Sequence, residues 1–374
     1  MKLTAKVKLL TTPEQHAALL ATLERANEAC NYMSQVAWDT RTFGQFSLHK
    51  LVYFHARDTY SLSAQMVIRC ESKVADAYKL DKKTPRTFNP HGAIAYDARI
   101  LKWKLDKFSV SIWTLGGRQE MLFSTGERQL ELLKFQQGES DLVYIRGEFY
   151  LLATCSIPDP TPEDVEGYLG VDMGVVELAT DSLGKPYSGA PVKRVRRKHR
   201  RLRKNLQKCG TRSAKRKLKK LSGREARFAK DTNHVVSKAI VKTAKHNRLG
   251  IAVENLTGIT KRVRVRKAAR DDLTSWAFFE LKSFLEYKSR LAGIPLVEVD
   301  PRNTSRTCSV CGHCDKANRK TQAEFACKAC SYAANADFNA AVNIAAKAEI
   351  KRPTVARVVP KSVHASSQLQ AHAL

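Results

Sequence analysis

Leu169-Gly170-Val171-Asp172-Met173-Gly174 and Gly250-Ile251-Ala252-Val253-Glu254-Asn255 are two short apolar runs, each bounded by glycine and each carrying an acid near its end. Runs of Val, Ile and Leu of this length read as buried strands, with the acid at or near the exposed end. A third acid, Asp337, stands in Asn335-Ala336-Asp337-Phe338, where an Ala-rich stretch reaching Ala348 predicts a helix. Taken singly, each acid reads as a cap or a solvated turn residue. Taken together, the three carboxylates make a candidate divalent-metal centre. Mg²⁺ prefers hard oxygen ligands and keeps several waters, so few carboxylates suffice. Phosphodiester hydrolysis with two Mg²⁺ ions about 3.5–4 Å apart requires such carboxylates to converge on one point. Asp172, Glu254 and Asp337 are therefore the candidate catalytic and Mg²⁺-binding residues.

The rest of the composition points to the partner. With 65 Lys and Arg against 36 Asp and Glu, the 374-residue chain carries a formal charge of +29, which suits approach to a polyanion. Nucleic acid is the expected target. A hydrophobic content of 43% is enough for two or three cores. The start, Met1-Lys2-Leu3-Thr4-Ala5-Lys6, has no apolar signal core, and no apolar run approaches the roughly 18 residues of a membrane span. An intracellular, cytoplasmic protein without a membrane partner is expected, associated with the nucleoid when on DNA.

Of nine cysteines, Cys30, Cys70, Cys155 and Cys209 are scattered, and Cys308, Cys311, Cys314, Cys327 and Cys330 crowd together. The odd count and the clustering argue against a disulfide framework. Cys308-x-x-Cys311, then fifteen residues, then Cys327-x-x-Cys330 has the ribbon spacing for one structural, tetrahedral Zn²⁺. Cys314 and His313 leave the ligand at the first turn open.

Along the chain, Leu3, Ala5, Val7 and Leu9 alternate with polar residues as in a half-buried strand. Thr12-Pro13-Glu14-Gln15 supplies an N-cap, a proline at the first helical position and a capping-box Gln. Leu19, Leu23, Ala26, Cys30, Met33 and Val36 then form one helical stripe, and helices continue to about residue 80. From 86 to 158 strands return. Phe108, Val110 and Ile112 alternate before Gly116-Gly117, and 142–145 pairs with 149–154 across Arg146-Gly147-Glu148. Pro158, Pro160 and Pro162 mark a linker. Val175–Asp181 reads as the hairpin partner of the strand carrying Asp172. Residues 193–230 hold 19 Lys and Arg against the single acid Glu225. Val195, His199, Leu202, Leu206, Leu218, Leu221 and Phe228 keep helical spacing there, so a basic helix or helical hairpin on a phosphate backbone is expected, ordered chiefly in the complex. Residues 260–270 form a second basic stretch, read as a mobile loop. Trp276 to Leu291 predicts a helix, Ile294–Val299 a strand, and 353–374 a flexible tail.

The order of these parts resembles a known family, the transposon-encoded TnpB proteins, RNA-guided DNA nucleases related to compact type V CRISPR effectors. The residues that carry the resemblance are Gly170-Val171-Asp172-Met173-Gly174, Val253-Glu254-Asn255-Leu256, the Cys308/Cys311 and Cys327/Cys330 pairs, and Asn335 through Ile344. They cover most of 166–350; residues 1–160 match only in layout. The resemblance implies an α/β chain with an RNase H-like (RuvC) nuclease domain over 166–305 and 334–352 and a zinc ribbon embedded at 306–333. A wedge-like β-barrel over 1–10 and 86–160, with a helical recognition insert at 11–85, would precede it. It also implies a guide RNA, a double-stranded DNA target and cleavage beside a short flanking motif. A nuclease-inactive RNA-guided binder or repressor and an RNA-independent transposase are the competing classes. Retention of three mutually repelling acids favours the nuclease.

Overall fold

The computed structural model describes residues 1–174, 176–256, 278–321 and 323–350. The chain divides into two compact units between Pro158 and Asp159, inside the proline-rich stretch.

In the first unit, β1 (Lys2–Leu10) buries Ala5, Val7 and Leu9 and exposes Lys2, Thr4 and Lys6. Thr12 then caps α1 (Pro13–Asp39). Its Oγ1 accepts from the Gln15 amide at 3.3 Å, and Gln15 Oε1 accepts from the Thr12 amide at 3.1 Å. These reciprocal bonds satisfy amides that a helix start otherwise leaves open, worth about 1 kcal/mol. The expected stripe of α1 is buried from Leu19 through Met33. Helices α2 (Gln45–Tyr60) and α3 (Ala64–Leu80) follow.

The chain then returns as β2 (Ile94–Tyr96), β3 (Leu101–Lys104), β4 (Ser109–Thr114), β5 (Gly117–Ser124), α4 (Glu127–Leu133), β6 (Gln136–Ile145) and β7 (Glu148–Ser156). The sheet is antiparallel, in the order β2-β6-β7-β1-β5-β4-β3. The first strand in sequence thus sits mid-sheet, and α1 to α3 fall between two strands of one sheet. β6 and β7 join through Arg146 and Gly147, with φ of 57° and 86°, as a two-residue hairpin with two left-handed positions requires. Two local details differ from expectation. The seven-residue α4 is too short for its periodicity to show against strand signals. Phe108 lies outside the alternation because it closes a 3-10 turn with φ 48° and stays about half exposed, so the buried face starts at Val110.

The second unit holds β8 (Gly167–Asp172), β9 (Glu177–Asp181), β10 (Pro186–Ser188), α5 (Ala190–Cys209), α6 (Arg212–Leu221), α7 (Arg224–His246), β11 (Leu249–Glu254), α8 (Phe278–Ala292), β12 (Leu296–Val299), β13 (Glu324–Ala326), β14 (Ala333–Asn335) and α9 (Ala336–Ile350). Its main sheet runs β10-β9-β8-β11-β12, with β8, β11 and β12 parallel and β9 and β10 antiparallel to their neighbours. One face of that sheet, with Val171 and Val253, packs with Val236, Ile240 and Ala244 of α7 and Leu281 and Leu285 of α8. The other, with Tyr168, Ala252 and Val299, packs with Ile344 and Ala348 of α9. Covering both faces explains why β8 and β11 read as continuous apolar runs. The proline stretch is tied into this unit: Glu163 N donates to Gly293 O at 2.8 Å, and Arg290 pairs with Asp159 at 2.6 Å.

The basic segment is three helices rather than one or two. Glu225 joins the first to the third, accepting from Arg196 at 3.2 Å and Arg203 at 3.1 Å. Val175, residues 260–270, Trp276 and the 353–374 segment lie outside the described residues.

Candidate active site and cysteine cluster

β8 and β11 run side by side in parallel, Val171 beside Val253, which sets Asp172 and Glu254 at the carboxyl ends of neighbouring strands. From β8 the chain leaves to β9 on one side, and β11 returns on the other. In open α/β sheets ligands bind outside the carboxyl ends of strands at such a reversal.

Asp337 comes from the first turn of α9, where Asn335 Oδ1 accepts from the amides of Asp337 at 2.9 Å and Phe338 at 3.0 Å. Gly170 is what lets α9 lie so close. A Cβ at that position would stand 2.0 Å from Ala341 O and 2.6 Å from Ala345 N, both backbone atoms of α9.

The electrostatics join the three acids. Burial, and after it the charges of Glu254 and Asp337, push the Asp172 carboxyl up to about 8, with Arg319 opposing. Burial also raises Glu254, against a hydrogen bond from Thr304 Oγ1, and raises Asp337, against Arg319, whose Nη2 lies 3.3 Å from Asp337 Oδ1. Three carboxylates that resist ionising are a place where a cation offsets both desolvation and mutual repulsion.

Cys308, Cys311, Cys327 and Cys330 bring their sulfurs within 4.8 Å of one another, with Cys308 to Cys330 at 3.6 Å and Cys311 to Cys327 at 3.5 Å. A tetrahedron with Zn–S bonds of about 2.3 Å has edges of about 3.8 Å, so this donor set fits zinc. The amides of Cys330 and Ala329 point at Cys327 Sγ and hold that thiol down at about 6. Cys314 and His313 stand outside the cluster.

Several supporting residues escaped sequence reading. Asn318, fully buried, donates to Arg306 O and His313 O and accepts from Lys328 N, tying the cysteine module's two halves together. Asn339 and Asn343 of α9 donate to Thr307 O, and Asn343 also to Thr304 O. Two asparagines four apart on an apolar helix were a legible signal. Thr304 and Arg319 offer none, because their carboxylate partners are distant in sequence.

Residues 153–260 match the family described as "Probable transposase", and residues 278–344 the family described as "Cas12f1-like, TNB domain". The CRISPR-associated endodeoxyribonuclease Cas12f1 of Sulfoacidibacillus thermotolerans is 37% identical over 147 residues, 39% of this chain and 32% of that protein. The putative RNA-guided DNA endonuclease InsQ of Escherichia coli K12 is 31% identical over 199 residues, 48% of each. The matched part thus spans less than half the length of either relative. The fold is that of a Cas12f1–sgRNA–target DNA complex's protein, with a TM-score of 0.57 at 19% identity over 90% of this chain and 83% of that one. No described helix is long and apolar enough to cross a membrane. Through these matches the chain is similar in sequence to proteins named Cas12f1, InsQ and TnpB-like, and it shares the mixed α/β fold of the Cas12f1 protein.

Proposed function

We propose that this chain is a divalent-metal-dependent, RNA-guided DNA endonuclease whose second unit is an RNase H-type, RuvC-like nuclease with an embedded zinc ribbon at 306–333. The observation that carries this is the meeting of Asp172 and Glu254 at adjacent strand ends with Asp337 at a helix start, each carboxyl raised by burial. The names of the matched relatives support the DNA substrate and the guide.

Asp172, Glu254 and Asp337 would hold Mg²⁺, which when bound supplies an activated water and charge for the leaving oxygen. The chain's own residues prepare the place: Thr304 orients Glu254, Asn335 fixes the start of α9, and Arg319 balances charge beside Asp337. Cys308, Cys311, Cys327 and Cys330 would hold a structural Zn²⁺, since four thiolates close its coordination. The exposed arginines and lysines of α5 and α6 suit the phosphates of guide RNA or heteroduplex, while base pairing reads sequence. The first unit takes the wedge role, with residues 11–85 as its recognition insert.

Purified protein with Mg²⁺ and a guide RNA should cut a matched duplex beside its flanking motif and be inert without RNA. Asp172→Ala, Glu254→Ala and Asp337→Ala should each abolish cutting and leave guide and target binding nearly intact, and metal analysis should find about one zinc per chain. Sequence-specific cutting after complete RNA removal would instead establish the RNA-independent transposase, which the description matched at 153–260 favours. Guided binding without cutting would establish the repressor.

A further inference from the structure

Helix α9 carries a polar stripe on a largely apolar body. Asn339, Asn343 and Lys347 stand four residues apart and so share one face, running away from Asp337 at the helix start. The asparagines are buried and donate to the carbonyls of Thr304 and Thr307. Lys347, half-buried, reaches the other end of the same segment: its Nζ donates to Asp300 O at 3.0 Å and to Arg302 O at 2.5 Å.

The segment held in this way, 300–307, begins beside the acidic site. It follows directly on β12, whose Val299 pairs with Glu254 and accepts from the Asn255 amide at 3.0 Å. Within it Thr304, only 3% exposed, donates its hydroxyl to Glu254, and the same oxygen lies 3.0 Å from Pro301 O. A hydroxyl has one proton, so it cannot serve both acceptors fully. The backbone course from Asp300 to Thr304 therefore decides how well Thr304 meets Glu254. Asn343 fixes that course at Thr304 itself, and Lys347 fixes it at Asp300 and Arg302. The Lys347 charge also reaches the site: burial raises the Glu254 carboxyl, and the Thr304 bond and then Lys347 oppose it. A cation in the last turn of α9 would suit the helix dipole wherever it pointed. The dipole does not account for the grip on two carbonyls of one turn.

We propose that Lys347 is a positioning residue of the acidic site. By pinning the carbonyls of Asp300 and Arg302 to α9 it keeps the Thr304 hydroxyl on Glu254, so the helix that supplies Asp337 also sets the partner of Glu254. The proposal rests on the reading of Asp172, Glu254 and Asp337 as a divalent-metal site. Hydrogen-bond partners of ligating carboxylates orient them, and their loss weakens metal binding.

The test uses the full-length, zinc-loaded chain and Mn²⁺ as the probe, with free Mn²⁺ followed by electron paramagnetic resonance. The binding counted is the part that Asp337→Ala removes. Thr304→Val and Lys347→Met should each weaken it about tenfold, the lower end of the loss expected for such partners. The double variant should be little worse than either single one, because both act through one hydrogen bond; independent losses would multiply to about a hundredfold. Lys347→Arg, which keeps the charge and the donors, should recover most of the affinity. Guided cutting of bound duplex should slow in the same order, with duplex affinity unchanged. Lys347→Met with the affinity of the unaltered chain, losses that multiply, or a loss that Lys347→Arg does not restore would overturn the proposal and leave Lys347 as a helix-end charge. An unaltered chain that binds Mn²⁺ as described and cuts nothing would count against the nuclease reading alone.

Discussion

Asp172 is where folding and the proposed catalysis ask for opposite things. Its carboxyl is raised from an ordinary 3.8 to about 8, so the native state holds a proton that the unfolded chain releases. The sign follows: its contribution to stability is fully present below about pH 4 and is lost as pH rises towards 8. Without added divalent cation, the melting temperature of the protein should therefore fall across that window more steeply than in Asp172→Asn. At pH 7 the Asn variant should be the more stable by about 2 kcal/mol, roughly 5 °C for a unit of this size, while cutting nothing. Scanning calorimetry of the two proteins at several pH values checks both statements; an Asn variant that melts lower at pH 7 would show that the carboxylate is well solvated.

Among the elements, α5 to α7 differ from the rest in what they pack against. Val192, Arg196 and Ala214 are the buried residues of α5 and α6, whereas α7 runs on from its basic start into the core through Val236, Ile240 and Ala244. Reversing four exposed charges, such as Arg197, Arg201, Lys215 and Lys219, should thus spare the fold. It should weaken RNA binding for all sequences alike and flatten the dependence of affinity on salt by about one unit of slope for each phosphate no longer neutralised. A change confined to sequence preference would instead mean that these helices read bases. These elements also show what a sequence discloses. The capping box at Thr12 and the glycine-bounded runs ending in Asp172 and Glu254 were legible because their causes lie within a few neighbouring residues. Thr304 is fifty residues from Glu254, and Arg319 eighteen from Asp337, so no local pattern announces either pairing. The Glu225 clamp between the first and third basic helices is of the same kind, whereas the breaks between the three helices, at Gly210 with φ 63° and Gly223 with φ 73°, lie at local glycine signals.

At the scale of the whole molecule, each unit is completed late by a distant part of the chain. β1 gains its neighbour β7 only near residue 150, and β8 gains α9 only after residue 336. Such non-local closure slows folding and leaves the earlier strands waiting for cover. For the second unit that cover is admitted through a single missing methyl group at Gly170. Gly170→Ala removes no acid and no basic side chain, yet α9 must retreat from β8, carrying Asp337 with it. An ångström of such displacement is enough to cost about a hundredfold in rate. The variant should therefore behave as a separation-of-function allele, one that still captures its guide and finds its target but has lost the blade; measuring occupancy and cutting on the same duplex would show whether the two activities part company at one carbon atom.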